Sequence, residues 1–127
     1  MDLKSSRTTI FLATSDAATA RTFYEDTLGL VLTADEPYAL VYALAGTELR
    51  LSKVPNHTPL PFTVLDWQVP DILAAHEALS GKGIEFSIFE GMGQDERGIW
   101  QSPDGGAKIL WFKDPDGNVL SVSERSQ

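Results

Sequence analysis

The sequence predicts an α+β fold built from paired βαβββ modules, and three observations predict it. One strand–Asp–helix–Gly–strand pattern occurs twice, the two Asp residues standing 55 positions apart. Turn residues break the stretch after each helix into short strands. A proline-rich segment, Pro55 to Pro61, separates the two copies.

In the first copy, Thr8-Thr9-Ile10-Phe11-Leu12-Ala13-Thr14 reads as a strand leading to Asp16, a helix from about Ala17 to Leu28, then Gly29 and the strand Leu30-Val31-Leu32. In the second, Phe62-Thr63-Val64-Leu65-Asp66-Trp67-Gln68-Val69 leads to Asp71, a helix from about Ile72 to Lys82, then Gly83 and Ile84-Glu85-Phe86. Each Asp is placed to N-cap its helix, accepting from the free amides of the first turn, and each Gly supplies the left-handed backbone that ends it. Ala17, Ala20, Tyr24 and Leu28 share one face of the first helix, as Ile72, Ala75 and Leu79 do in the second. Breaks fall at Asp35-Glu36-Pro37, Ala45-Gly46-Thr47, Ser102-Pro103-Asp104-Gly105-Gly106 and Asp114-Pro115-Asp116-Gly117. The last two bracket Ala107 to Lys113, which reads as a strand. The modules then cover about 7–54 and 61–124 of one domain spanning 1–127, with a linker at about 55–60, because neither half is large enough to bury a core alone.

The 127 residues are 43% hydrophobic and carry a net charge of −8. Their basic residues are scattered, so neither a phosphate backbone nor an anionic bilayer surface is an expected partner. No apolar run approaches the roughly 18 residues needed to cross a membrane, and the first residues lack the apolar stretch of a secretion signal. A cytoplasmic protein is expected. The chain has no cysteine, which removes disulfides, thiolate metal sites and a cysteine nucleophile. No phosphate loop, dinucleotide fingerprint or nucleophile elbow is present.

Two stretches, Ala20-Arg21-Thr22-Phe23-Tyr24-Glu25-Asp26-Thr27-Leu28-Gly29-Leu30 and Trp111-Phe112-Lys113-Asp114-Pro115-Asp116-Gly117-Asn118-Val119-Leu120, resemble the two signature segments of the vicinal oxygen chelate superfamily, which includes glyoxalase I, bleomycin-resistance proteins and extradiol dioxygenases. The resemblance covers essentially the whole chain. It implies the paired βαβββ fold and leaves the chemistry open, since the group contains lyases, isomerases, oxygenases and binders without catalysis. It also implies that catalytic members hold a divalent metal on the concave face of the sheets, through His, Glu or Gln on the first strand of each half and Glu or His on the last. By register those places fall here on Thr9, Arg50, Val64 and Ser121. None is a good ligand: the hydroxyls are weak donors, Val has none, and Arg is always protonated. No cofactor is expected, a divalent cation being the alternative. Glu48 and Asp66 are the inward carboxylates that could serve a hard cation or acid–base work, or pair with Arg50.

Strand alternation places Thr9, Phe11, Ala13, Glu48, Arg50, Ser52, Phe62, Val64, Asp66, Gln68, Val119, Ser121 and Ser123 on the concave side, and an almost wholly apolar set, Leu12, Leu49, Leu51, Leu65 and Leu120 among them, under the helices. The ligand-binding candidates are therefore Thr9, Phe11, Glu48, Arg50, Phe62, Val64, Asp66, Gln68 and Ser121. Polar groups mixed with Phe and Val suit a pocket for an organic molecule. The segment Glu90 to Gln101 reads as a loop ending in a short strand, either a lid or a plain connection. The expected function is metal-independent binding or sequestration of a small organic ligand by a homodimer, and the alternative is an enzyme of the same fold with a displaced or absent metal.

Overall fold

A computed structural model describes residues 1–126. The chain divides into two compact units, Met1–Thr58 and Pro59 onward. The first unit opens on a short 3-10 turn, Leu3–Ser5, and holds β1 (Thr9–Thr14), α1 (Ala17–Arg21), β2 (Val31–Asp35), β3 (Ala39–Leu44) and β4 (Thr47–Lys53). The second holds β5 (Thr63–Gln68), α2 (Ile72–Ser80), β6 (Trp100–Gln101), β7 (Ala107–Lys113) and β8 (Val119–Arg125). Each unit contains one four-stranded sheet, ordered β1-β4-β3-β2 in the first and β5-β8-β7-β6 in the second. In each, the first and last strands run parallel and the remaining pairs antiparallel. The repeat in the sequence is thus a repeat in topology.

Both caps form as expected. Asp16 accepts from the Thr19 amide at 3.1 Å and from its hydroxyl at 2.7 Å, and Asp71 accepts from the Leu73 and Ala74 amides at 3.0 and 3.2 Å. Gly29 and Gly83 close the two helical segments at φ 75° and 88°, a conformation that a side chain would oppose. The first helical segment departs from the expected α-helix to Leu28. Its α part ends at Arg21 and Thr22–Thr27 continue as a π-helical stretch, with the Leu28 amide reaching back to the Phe23 carbonyl at 2.9 Å. This wider turn carries the fully buried Tyr24, whose ring lies 5.7 Å from that of Tyr42.

The second departure is at Ile84-Glu85-Phe86, which forms no strand. Ile84 is buried and the Phe86 ring stacks on His76 of α2 at 5.0 Å, so this segment is held by side chains rather than by a ladder. Its nearest tie to the sheet is the Ser87 amide, which donates to the Trp111 carbonyl at 2.7 Å. The edge place beside Lys108 and Ile109 is taken instead by β6.

The cores take the apolar parity of the strands, while β3 over Ala39–Tyr42 and β8 over Val119–Ser123 are buried on both faces. Leu12, Leu40, Tyr42, Leu49 and Leu51 are buried in the first unit, and Leu65, Ile72, Leu110, Phe112, Leu120 and Val122 in the second. The second signature segment is a structural turn. Asp114 accepts from the Asp116 and Asn118 amides at 3.0 and 2.9 Å and from the Asn118 side-chain amide at 2.8 Å, and both residues are buried.

Candidate functional site

In the first unit, register puts Thr9 beside Glu48, Phe11 beside Arg50 and Ala13 beside Ser52, with Ala43, Val41 and Ala39 on the far side of β4. Paired residues share a face, so Thr9, Phe11, Glu48 and Arg50 lie together on the side opposite the buried leucines. Phe11 is 64% exposed. Arg50 is paired, and its partner is Glu36 in the β2–β3 turn at 2.8 Å, in place of the Glu48 or Asp66 expected from the sequence. The other charged cluster of this unit belongs to the helix side: Arg21 binds Glu25 at 2.9 Å, Lys53 binds Asp35 at 2.7 Å, and the buried Tyr42 hydroxyl donates to Glu25 at 3.0 Å. Burial and then the bond to Glu25 push the Tyr42 phenol well above its ordinary range. The bond from Arg21 holds the Glu25 carboxyl below its own.

In the second unit, Asp66 and Trp111 both lie opposite Ser121, and Gln68 and Ile109 both lie opposite Ser123. Trp100 pairs with Ile109, so the face reads Asp66–Ser121–Trp111 in one row and Gln68–Ser123–Ile109–Trp100 in the next. Asp66 accepts from the Ser121 hydroxyl at 2.6 Å and the Ser123 hydroxyl at 2.7 Å, one on each carboxylate oxygen. An Arg125 guanidinium nitrogen stands 3.9 Å away. The Trp111 indole nitrogen donates to the Thr63 hydroxyl at 3.0 Å. Because β8 lies between β7 and β5, this bond spans β8 on the face that holds Ser121, which is 2% exposed. Phe89 and Trp100 complete an aromatic row, with ring centres 5.5 and 6.2 Å from Trp111.

The ladder is irregular between Thr63 and Leu65. Thr63 lies opposite Val119 and bonds Trp111, so it joins the Asp66 face from the place that unbroken alternation gives to its neighbours Phe62 and Val64. A bulge sets two residues against one, and simple parity fails across it. Phe62 is 58% exposed. Ser121 supports Asp66 from below, and Gln68 stands exposed at the strand end. Reading the sequence missed Trp100, Trp111 and Phe89. The signal was available for Trp111, since the alternation of Ile109, Trp111 and Lys113 against Leu110 and Phe112 marks the open face of β7.

The segment after Phe89 is pinned by its own side chains. Gln94 accepts from the Phe89 amide at 2.7 Å and donates to the Ser87 and Gly98 carbonyls at 2.9 and 2.7 Å, and Asp95 accepts from the Arg97 and Ile99 amides, both at 2.9 Å. These bonds make it a framed connection that sets Phe89 and Trp100 beside Trp111.

Two sheets of identical strand order, each closed by a parallel pair and backed by an Asp-capped helix, define a paired βαβββ protein. The chain belongs to the Glyoxalase/Bleomycin resistance protein/Dioxygenase superfamily, whose family model matches residues 7–122. Similar solved structures include TnmS3, an antibiotic binding protein from Streptomyces sp. CB03234, at 26% identity and a TM-score of 0.70, with 96% of this chain and 97% of that one covered. A glyoxalase/bleomycin resistance protein/dioxygenase from Alicyclobacillus acidocaldarius is 16% identical with a TM-score of 0.72, covering 97% and 93%. A third, of the same description from Nocardioides, is 20% identical with a TM-score of 0.71, covering 96% and 84%. A search of curated protein sequences finds no match.

The residues at the metal places do not fit a metal. Arg50 is committed to Glu36 and Ser121 to Asp66, Thr9 offers only a hydroxyl and Val64 nothing, and among the described residues no three His, Asp or Glu side chains come together.

Proposed function

We propose that this protein binds a small organic molecule without a metal, on the open face of the second unit. The observation that carries the reading is the aromatic row Phe89–Trp111–Trp100 beside Asp66. Aromatic faces supply large apolar contact at low entropic cost, and a carboxylate fixed by two serines is an oriented polar group of the kind that sets a ligand's pose. The likeness to an antibiotic binding protein supports the same class of function. On the first unit, Arg50 beside the exposed Phe11 is a second place where a ligand oxygen would compete, here with Glu36, for the guanidinium fork.

The protein acts in this reading as a cytoplasmic homodimer. Each four-stranded sheet ends in strands that lack a second neighbour in their own sheet, and such edges invite pairing with another chain. Among the described residues no helix is long and apolar enough to cross a membrane.

A thermal-shift screen of metal-stripped protein over planar aromatic compounds and antibiotics tests the function, combined with elemental analysis of protein purified without an affinity tag. The reading expects stabilising hits with no stoichiometric metal. About one transition-metal ion per chain, required for those hits, overturns it.

A further inference from the structure

We infer that the second-unit face selects ligands carrying a positive charge, a protonated or quaternary amine, next to an aromatic body. This rests on the proposed binding function and adds the charge of the ligand.

Asp66 offers two oxygens with about four acceptor positions, of which the hydroxyls of Ser121 and Ser123 occupy two. Both serines are almost fully buried, so they hold the carboxylate without competing for the open side. The resident cation is a weak competitor. Arg125 stands 3.9 Å off, beyond hydrogen-bond distance, and its side chain is 59% exposed. Flanking Ser121 on the other side is Trp111, the ring that attracts cations best, held in place through its bond to Thr63 and followed by Trp100 and Phe89. A carboxylate and an indole face separated by one strand present two attractions to one cation, and both act against an anion. The net charge of −8 adds a field of the same sign.

Three probes with one aromatic body decide the matter: (2-naphthylmethyl)trimethylammonium, 2-naphthylmethanol and 2-naphthylacetate, each titrated against tryptophan fluorescence. The expected order is cation, neutral, anion, with the cation at least about tenfold tighter than the alcohol. Asp66→Asn, which keeps the shape and removes the charge, brings the cation to within about threefold of the alcohol when both are measured on that variant. An alcohol that binds as tightly as the cation, or a cation unaffected in a folded Asp66→Asn protein, overturns the charge selectivity and leaves the small-molecule reading in place. Absence of saturable quenching by all three overturns both. The wild-type order decides the inference even where the variant fails to fold.

Discussion

Trp111 on β7 and Thr63 on β5 are joined by an indole hydrogen bond of 3.0 Å that spans the intervening strand β8. The bond fixes this indole by its polar end and leaves its faces to neighbours or a ligand. It also ties the edge strand β5 to the middle of the sheet.

Trp111→Phe keeps an aromatic ring and removes that bond. It is expected to cost about 1 kcal/mol of stability, the usual net worth of one hydrogen bond. In a double-mutant cycle with Thr63→Ala, urea unfolding should show a coupling of about 0.5–1.5 kcal/mol. Strict additivity would mean that the bond contributes nothing.

Gly117 sits at φ 88°, and a Cβ built there meets the Pro59 side chain at 3.1 Å. Gly117→Ala therefore suffers both a left-handed backbone and a tight contact, and is expected to lose at least about 1–2 kcal/mol. The urea midpoint should fall with the slope unchanged.

The Tyr42–Glu25–Arg21 chain makes stability depend on pH at both ends of the scale. Glu25, held low chiefly by the bond from Arg21, contributes stability above its unfolded value of about 4.3 that is lost as pH falls through the folded value. Tyr42, raised first by burial and then by its bond to Glu25, contributes below its unfolded value of about 10, and that contribution is lost as pH rises toward the folded value. Denaturant titrations across pH should show Glu25→Gln flattening the acid limb and Tyr42→Phe the alkaline limb.

Arg50→Met should leave the fold intact and cost under about 1 kcal/mol, because the Glu36 pair is only partly shielded, with side-chain exposures of 28% and 44%. Thermal unfolding checks this. A much larger loss would mean that Arg50 is a structural cation rather than one available to a ligand.

The fold was legible because its signals are local. Asp16 and Asp71 cap, Gly29 and Gly83 terminate, and the leucines of β4 alternate with Glu48 and Arg50. The site was legible in part, since parity set Asp66, Ser121 and Ser123 on one face, where they hydrogen-bond. What escaped depends on longer-range packing. Parity carries no sign of the irregularity at Thr63–Leu65. The partner of Arg50 is a turn residue, Glu36, off its strand. The aromatic row needs Phe89 and Trp100, which Gln94 and Asp95 position from an irregular segment.

The three tryptophans provide the most direct test of the central claim. Trp100 and Trp111 lie on the open face of the second sheet, while Trp67, opposite Val122, lies on the helix side. A titration of 15N-labelled, EDTA-treated protein with (2-naphthylmethyl)trimethylammonium, followed through the indole N–H signals, is predicted to shift Trp100 and Trp111 saturably and leave Trp67 in place. A saturable shift confined to Trp67, or one that appears only after a divalent metal is added, would contradict metal-independent binding on this face.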